Sequence, residues 1–263
     1  MLSTGEFFKY TFKLKNKSVN FLLLLQFIVA IIGACWLAIY NSKLTLLDKW
    51  SMGIVMVEIT SIFAIIIYLF ISTVSNEKIN SSKTWQLLPI SSKNFYLVNL
   101  FSSVLNAIYL VFMQVIMALI VLIPLTAFKE FRKGVGLTYS LILKRMDLIL
   151  KDVLPISILI VVFMLLFLIA LYLFVTTVNF VSTLLVEQLS KNNSKLARFL
   201  LIVVIVVITL IIGINMIDLA ASINFFSSNT WLQWVRLDGV MIFIDLIFLF
   251  LNIWLLKNYH EGR

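Results

Sequence analysis

Ser75-Asn76-Glu77-Lys78-Ile79-Asn80-Ser81-Ser82-Lys83-Thr84-Trp85-Gln86-Leu87-Leu88-Pro89-Ile90-Ser91-Ser92-Lys93 is a polar stretch set between two apolar runs, residues 52–74 and 97–127. Each run reaches the roughly 20 residues that a helix needs to cross a bilayer. The polar stretch therefore reads as a loop between two spans, and that reading decides the fold. Within it, Trp85, Leu87 and Leu88 form a compact apolar knob that stops at Pro89, beside Glu77 and the lysines 78, 83 and 93. Such a knob suits docking onto another protein better than exposure to water.

Outward from this loop, the same criterion finds four further runs: 21–40, 153–181, 199–217 and about 237–256. The runs lack the alternation of barrel strands, and lipid leaves no water for unpaired backbone groups, so they must be helices. Composition agrees. The 263 residues are 62% hydrophobic and 13% charged, with mean hydropathy +1.08, against roughly half apolar and a quarter charged in soluble domains. The fold class is an all-α integral membrane protein of six transmembrane helices, a single transmembrane domain over residues 1–263.

The net charge of +9 comes from lysines and arginines scattered between the apolar runs. They read as membrane-surface charges, not as a nucleic-acid face. Ser3-Thr4-Gly5-Glu6 has the spacing of a capping box. Lys9, Lys13 and Lys17 follow at four-residue steps, opposite Phe7, Phe8, Thr11, Phe12 and Leu14. Residues 1–19 are therefore expected to form an N-terminal amphipathic interfacial helix. They are also expected to be retained, because the following run has full spanning length and no small-residue cleavage pattern follows it.

With the N-terminus inside, the cytoplasmic segments hold Lys9, Lys13, Lys15, Lys17, Lys78, Lys83, Lys93, Lys191, Lys195, Arg198, Lys257 and Arg263. The outer ones hold Lys43, Lys49, Lys129, Arg132, Lys133, Lys144, Arg145, Lys151 and Arg236. Twelve against nine favours both termini cytoplasmic. The outer segment 129–152 carries Val135, Tyr139, Ile142, Met146 and Ile149 at steps of three and four, which predicts a second amphipathic helix. Residues 218–239 are a further outer segment. Its Phe225, Phe226, Trp231 and Trp234 fit either a membrane-dipping stretch or an interfacial aromatic belt.

Several chemistries are excluded. One cysteine, Cys35, and one histidine, His260, provide neither a metal cluster nor a nucleophile–histidine pair. Cys35 is expected to serve packing. No phosphate-binding loop occurs; Lys133-Gly134-Val135-Gly136 has neither the spacing nor the terminal lysine. Any nucleotide energy must come from a partner, and no catalytic residue or metal site is assigned.

The polar groups inside the spans are few. Glu58 and Asp245 each lie about 10 Å deep at 1.5 Å per residue. Intramembrane acids usually face a bundle interior or a wet cavity, so with Gln114 they are candidates for a substrate pathway; pairing or snorkelling are the structural alternatives. Gln26, Asn106, Gln114 and Asn179 also fit bonds between helices, worth roughly 1 kcal/mol each.

This layout resembles the permease subunits of type-2 ABC exporters. The local match is Glu77 followed by Thr84-Trp85-Gln86-Leu87-Leu88-Pro89-Ile90-Ser91-Ser92, which looks like that family's acidic residue and Leu-Leu-x-Pro-Ile-Ser stretch. Two features depart from the pattern: Asn99 stands where the family often has a basic residue, and segment 129–152 is longer and more basic than usual. The resemblance implies a coupling loop over residues 76–95, with Glu77, Thr84, Trp85, Gln86, Leu87, Leu88 and Pro89 engaging an ATPase. It further implies two ABC ATPase subunits that bind ATP and Mg, a second permease subunit, identical or related, and a place in a bacterial cytoplasmic membrane. The expected function is ATP-driven export of a hydrophobic or amphipathic molecule, such as an antimicrobial or bacteriocin-like peptide, for secretion or self-protection. The rival readings are an intramembrane enzyme using Glu58 and Asp245, and a non-transporting scaffold or sensor.

Overall fold

In a computed structural model, residues 3–40, 45–80, 82, 90–146, 153–188, 203 and 230–260 are described. They form six α-helices: α1 (Thr4–Tyr40), α2 (Leu46–Asn80), α3 (Ser92–Leu122), α4 (Lys129–Lys144), α5 (Leu154–Gln188) and α6 (Thr230–His260). A 3-10 turn, Ile123–Ala127, placed by Pro124, follows α3. All of these except α4 are long and apolar enough to cross a membrane, so the chain is a multi-pass membrane protein with five candidate spans among the described residues. The expected run 199–217 lies outside the described residues apart from Val203.

The helix starts follow the sequence chemistry. Ser3 and Glu6 cap α1 reciprocally: the Glu6 N–H donates to Ser3 Oγ at 3.2 Å and the Ser3 N–H to Glu6 Oε2 at 2.8 Å. Thr45 and Asp48 do the same for α2, and Ser91 accepts from the Asn94 N–H to start α3. Each cap satisfies backbone donors that the first helical turn leaves open.

By its contacts the chain divides into two units, Met1–Met146 and Asp147–Arg263. In the first, α1 packs on α2 and α3. Gln26 meets Ser61 and Lys15 meets Asn76, so α1 and α2 are antiparallel; Gln26 also meets Gln114 and Lys15 meets Ser102, so α1 and α3 are parallel. The buried face of α1 runs Phe7, Thr11, Lys15, Val19, Leu22, Gln26 and Ala30. Residues 4–19 are thus continuous with the first span, and their buried side lies against the neighbouring helices; Lys9, Lys13 and Lys17 are exposed. α4 is almost wholly exposed, including Val135, Leu137 and Tyr139. The predicted amphipathic helix is present from 129 to 144, while residues 147–152 lie outside the described set.

In the second unit α5 packs on α6. Phe163 meets Trp234, Phe174 meets Phe248, and Thr177 Oγ1 donates to Asn252 Oδ1 at 2.9 Å. Residue numbers rise together along both helices, so α5 and α6 are parallel. α6 begins at Thr230, which places Trp231 and Trp234 on a helix; Phe225 and Phe226 lie outside the described residues.

Candidate functional site at the base of the loop

Residues 83–89, which include Thr84, Trp85, Gln86, Leu87, Leu88 and Pro89, lie outside the described residues. Their two stems are described, and these stems are held together by α1. Phe7, Ile79 and Phe95, one each from α1, α2 and α3, form a buried cluster with Ile90 and Val98 against it. The Phe7 and Phe95 rings stack at 5.1 Å. Two helical turns further along α1, Lys15 is 3% exposed.

The Lys15 ammonium is surrounded by Asn76 Oδ1 (2.7 Å), Asn99 Oδ1 and O (both 2.6 Å), Ser102 Oγ (2.8 Å) and Ser103 Oγ (2.7 Å). An ammonium has three protons, so some of these five bonds are shared. A buried charge without such a shell would cost several kcal/mol; here neutral oxygen dipoles replace its water. A second layer of bonds orients the oxygens. Asn99 Nδ2 donates to Asn80 Oδ1 at 2.8 Å and to Asn76 O at 3.2 Å, and Ser103 Oγ donates to Asn76 Oδ1 at 2.8 Å. Tyr68 OH donates to Ser103 O at 2.7 Å. Asn76 and Asn80 close the stem entering the loop, and Asn99, Ser102 and Ser103 open the stem leaving it. One side chain of α1 therefore ties both stems to a third helix.

The sequence places Lys15 among the surface lysines, and the structure corrects this by burying it. A signal was present. Lys15 falls between the four-residue steps of Lys9, Lys13 and Lys17, and shares a face with Phe7, Thr11 and Val19. Its acceptors, 61 to 88 positions away, left no such trace. Asn99 thus meets the Lys15 nitrogen through both its side-chain and its backbone oxygen.

Glu77 is half-buried in the last turn of α2, one residue past Asn76. Gln114 Nε2 donates to Gln26 Oε1 at 3.0 Å and to Ser61 O at 3.3 Å, and Gln26 Nε2 donates to Ser61 Oγ at 2.8 Å. Gln114 is thus engaged between helices α1, α2 and α3. Gln114→Leu should cost roughly 1 kcal/mol in thermal stability, measured by unfolding in detergent. Glu58 is exposed, off the packed face of α2 that carries Val57, Thr60 and Ala64.

Asp245 is buried on α6 in the other unit, between Asp238 and Asn252, all three buried and seven residues apart. The carboxylate oxygens of Asp238 and Asp245 accept no hydrogen bond from the described residues. Cys35, expected to pack inside, is exposed. No group of three metal-binding side chains occurs among the described residues. Compared with known proteins, the chain matches no protein family, no curated protein and no solved structure.

Proposed function

We propose that this chain is the permease subunit of an ATP-driven exporter, in which residues 76–95 receive movement from a separate ATPase. The observation that carries the reading is the Lys15 cage. A loop that transmits force needs stems that move together with the spans, and here a buried ammonium and the Phe7–Ile79–Phe95 cluster bind both stems to α1. The apolar knob of the loop is the docking element, and a dimer of permeases with two ATP- and Mg-binding ATPase subunits completes the machine.

Six spans with both termini on one side fit the described helices. Parallel α5 and α6 need a return crossing between them, and the run 199–217 has the length for it. The predominantly apolar spans suit a hydrophobic or amphipathic cargo, an antimicrobial or bacteriocin-like peptide being one such molecule.

The test is co-purification in mild detergent. Wild type should bring down an ATPase subunit, and the double change Trp85→Ala with Leu88→Ala should release it. Absence of an ATPase from both preparations would overturn the reading.

The buried acids favour a second element of it, a polar track along α6 made by Asp238, Asp245 and Asn252. Asp245→Leu, an apolar change of nearly the same shape, should raise thermal stability by about 1–3 kcal/mol, the cost of a buried polar group without a partner among the described residues. Transport should fall at the same time. A stability loss would mean that Asp245 holds the helices together instead.

A further inference from the structure

At the end of the first unit where α1 stops and α2 begins, a cavity of about 380 Å³ opens between the two helices, with Val121 of α3 at its back. Its floor is Ala30, Ala34, Ala38 and Gly53, small residues that leave a channel where larger ones would fill it. Phe27 and Ile31 flank it and remain 48% and 46% exposed, so the channel is open along one side. The volume lies within the range of small-molecule sites, about 300–1,000 Å³.

Among the described residues, Lys49 is the one charged residue lining this channel. Its neighbour Asp48 is turned to the start of α2, where its Oδ2 accepts from Thr45 Oγ1 at 2.6 Å. Lys49 therefore has no carboxylate partner among the described residues. Trp36, Tyr40 and Trp50, at the same ends of α1 and α2, are 70%, 79% and 42% exposed, as side chains at the membrane–water boundary are. From Ala38 to Phe27 the channel follows eleven helical steps, roughly 16 Å at 1.5 Å per residue. One leaflet of the hydrocarbon core is about half of 30 Å.

We propose that this channel holds an acyl chain of an anionic glycerophospholipid, with its phosphate on Lys49. The depth matches one leaflet, the walls are apolar, and the one charge among the described lining residues is positive and at the mouth. The inference is independent of the exporter reading, since it uses only α1, α2 and Val121.

Cys35, the single cysteine of the chain, lines the channel and reports its occupancy directly. In delipidated protein in mild detergent, the rate of Cys35 alkylation by a maleimide is measured against added dioleoyl phosphatidylglycerol, dioleoyl phosphatidylcholine or glycerol phosphate. Phosphatidylglycerol should slow the reaction at least fivefold, and the other two should not.

Lys49→Gln should raise the phosphatidylglycerol concentration needed by about fivefold, the weight of one basic residue at an anionic surface, while Lys49→Arg should not. Ala34→Leu should abolish retention of phosphatidylglycerol, read by native mass spectrometry. Ile31→Trp should do the same from the exposed side, without entering the α1–α2 contact. Equal protection by phosphatidylcholine would overturn the proposal in favour of non-selective filling. Protection by glycerol phosphate alone, or full retention in either blocked variant, would overturn it as well.

Discussion

Lys15→Met should lower the stability of the first unit by about 3 kcal/mol, because hydrogen bonds to a charged group contribute roughly 1.5–3 kcal/mol each. Five acceptors share this ammonium. The loss is held below the sum of five bonds because Ser102 and Ser103 can still bond to Asn99 O and Asn76 Oδ1. Methionine matches the lysine side chain as far as Cε, so the measurement reads mainly the loss of the terminal nitrogen and its hydrogen bonds. Lys15→Arg is expected to fail too: a planar guanidinium does not fit oxygens arranged around a compact point charge. Thermal unfolding in detergent checks both. If the exporter reading holds, the methionine variant should still bind the ATPase through the loop yet transport poorly, since the stems no longer move with α1. Stability equal to wild type would mean that the cage contributes nothing to holding the stems.

Phe7→Ala should be the more damaging change, at about 3–5 kcal/mol. Phe7 is fully buried, stacked on Phe95 and packed with Ile79 at the mouth of the loop. Truncation leaves a cavity bounded by three helix ends, where only the loop stems could move to close it. Phe7→Leu should recover most of the loss by restoring volume. The readouts are the unfolding midpoint and the protease sensitivity of residues 76–95. If Phe7→Ala leaves both unchanged, α1 does not wedge the stems together.

The spans were legible in the sequence because hydropathy over about 20 residues is a local property, and Met52, Leu97 and Val153 open runs that become α2, α3 and α5 within a few positions. The capping box at Ser3–Glu6 was legible for the same reason: donor and acceptor are three residues apart. The base of the loop was not. Lys15 and Asn99 are 84 positions apart, and nothing local distinguishes an asparagine that receives a buried ammonium from one that faces solvent. Asn99 and the lysine that it meets belong to different helices, so their pairing leaves no local pattern. Gln114 shows the complementary case. An amide in a span invites a substrate role or a bond between helices, and the contact to Gln26 reveals the bond.

Lys15 also constrains the order of biogenesis. Chains are synthesised from the N-terminus at about 5–20 residues per second, and Asn99 follows Lys15 by 84 residues. For roughly 4–17 s the ammonium exists without the acceptors that α3 supplies, and for most of that interval only water can solvate it cheaply. The first residues of α1 must therefore wait at the membrane surface while the second and third spans arrive, and they dock last, although they are made first.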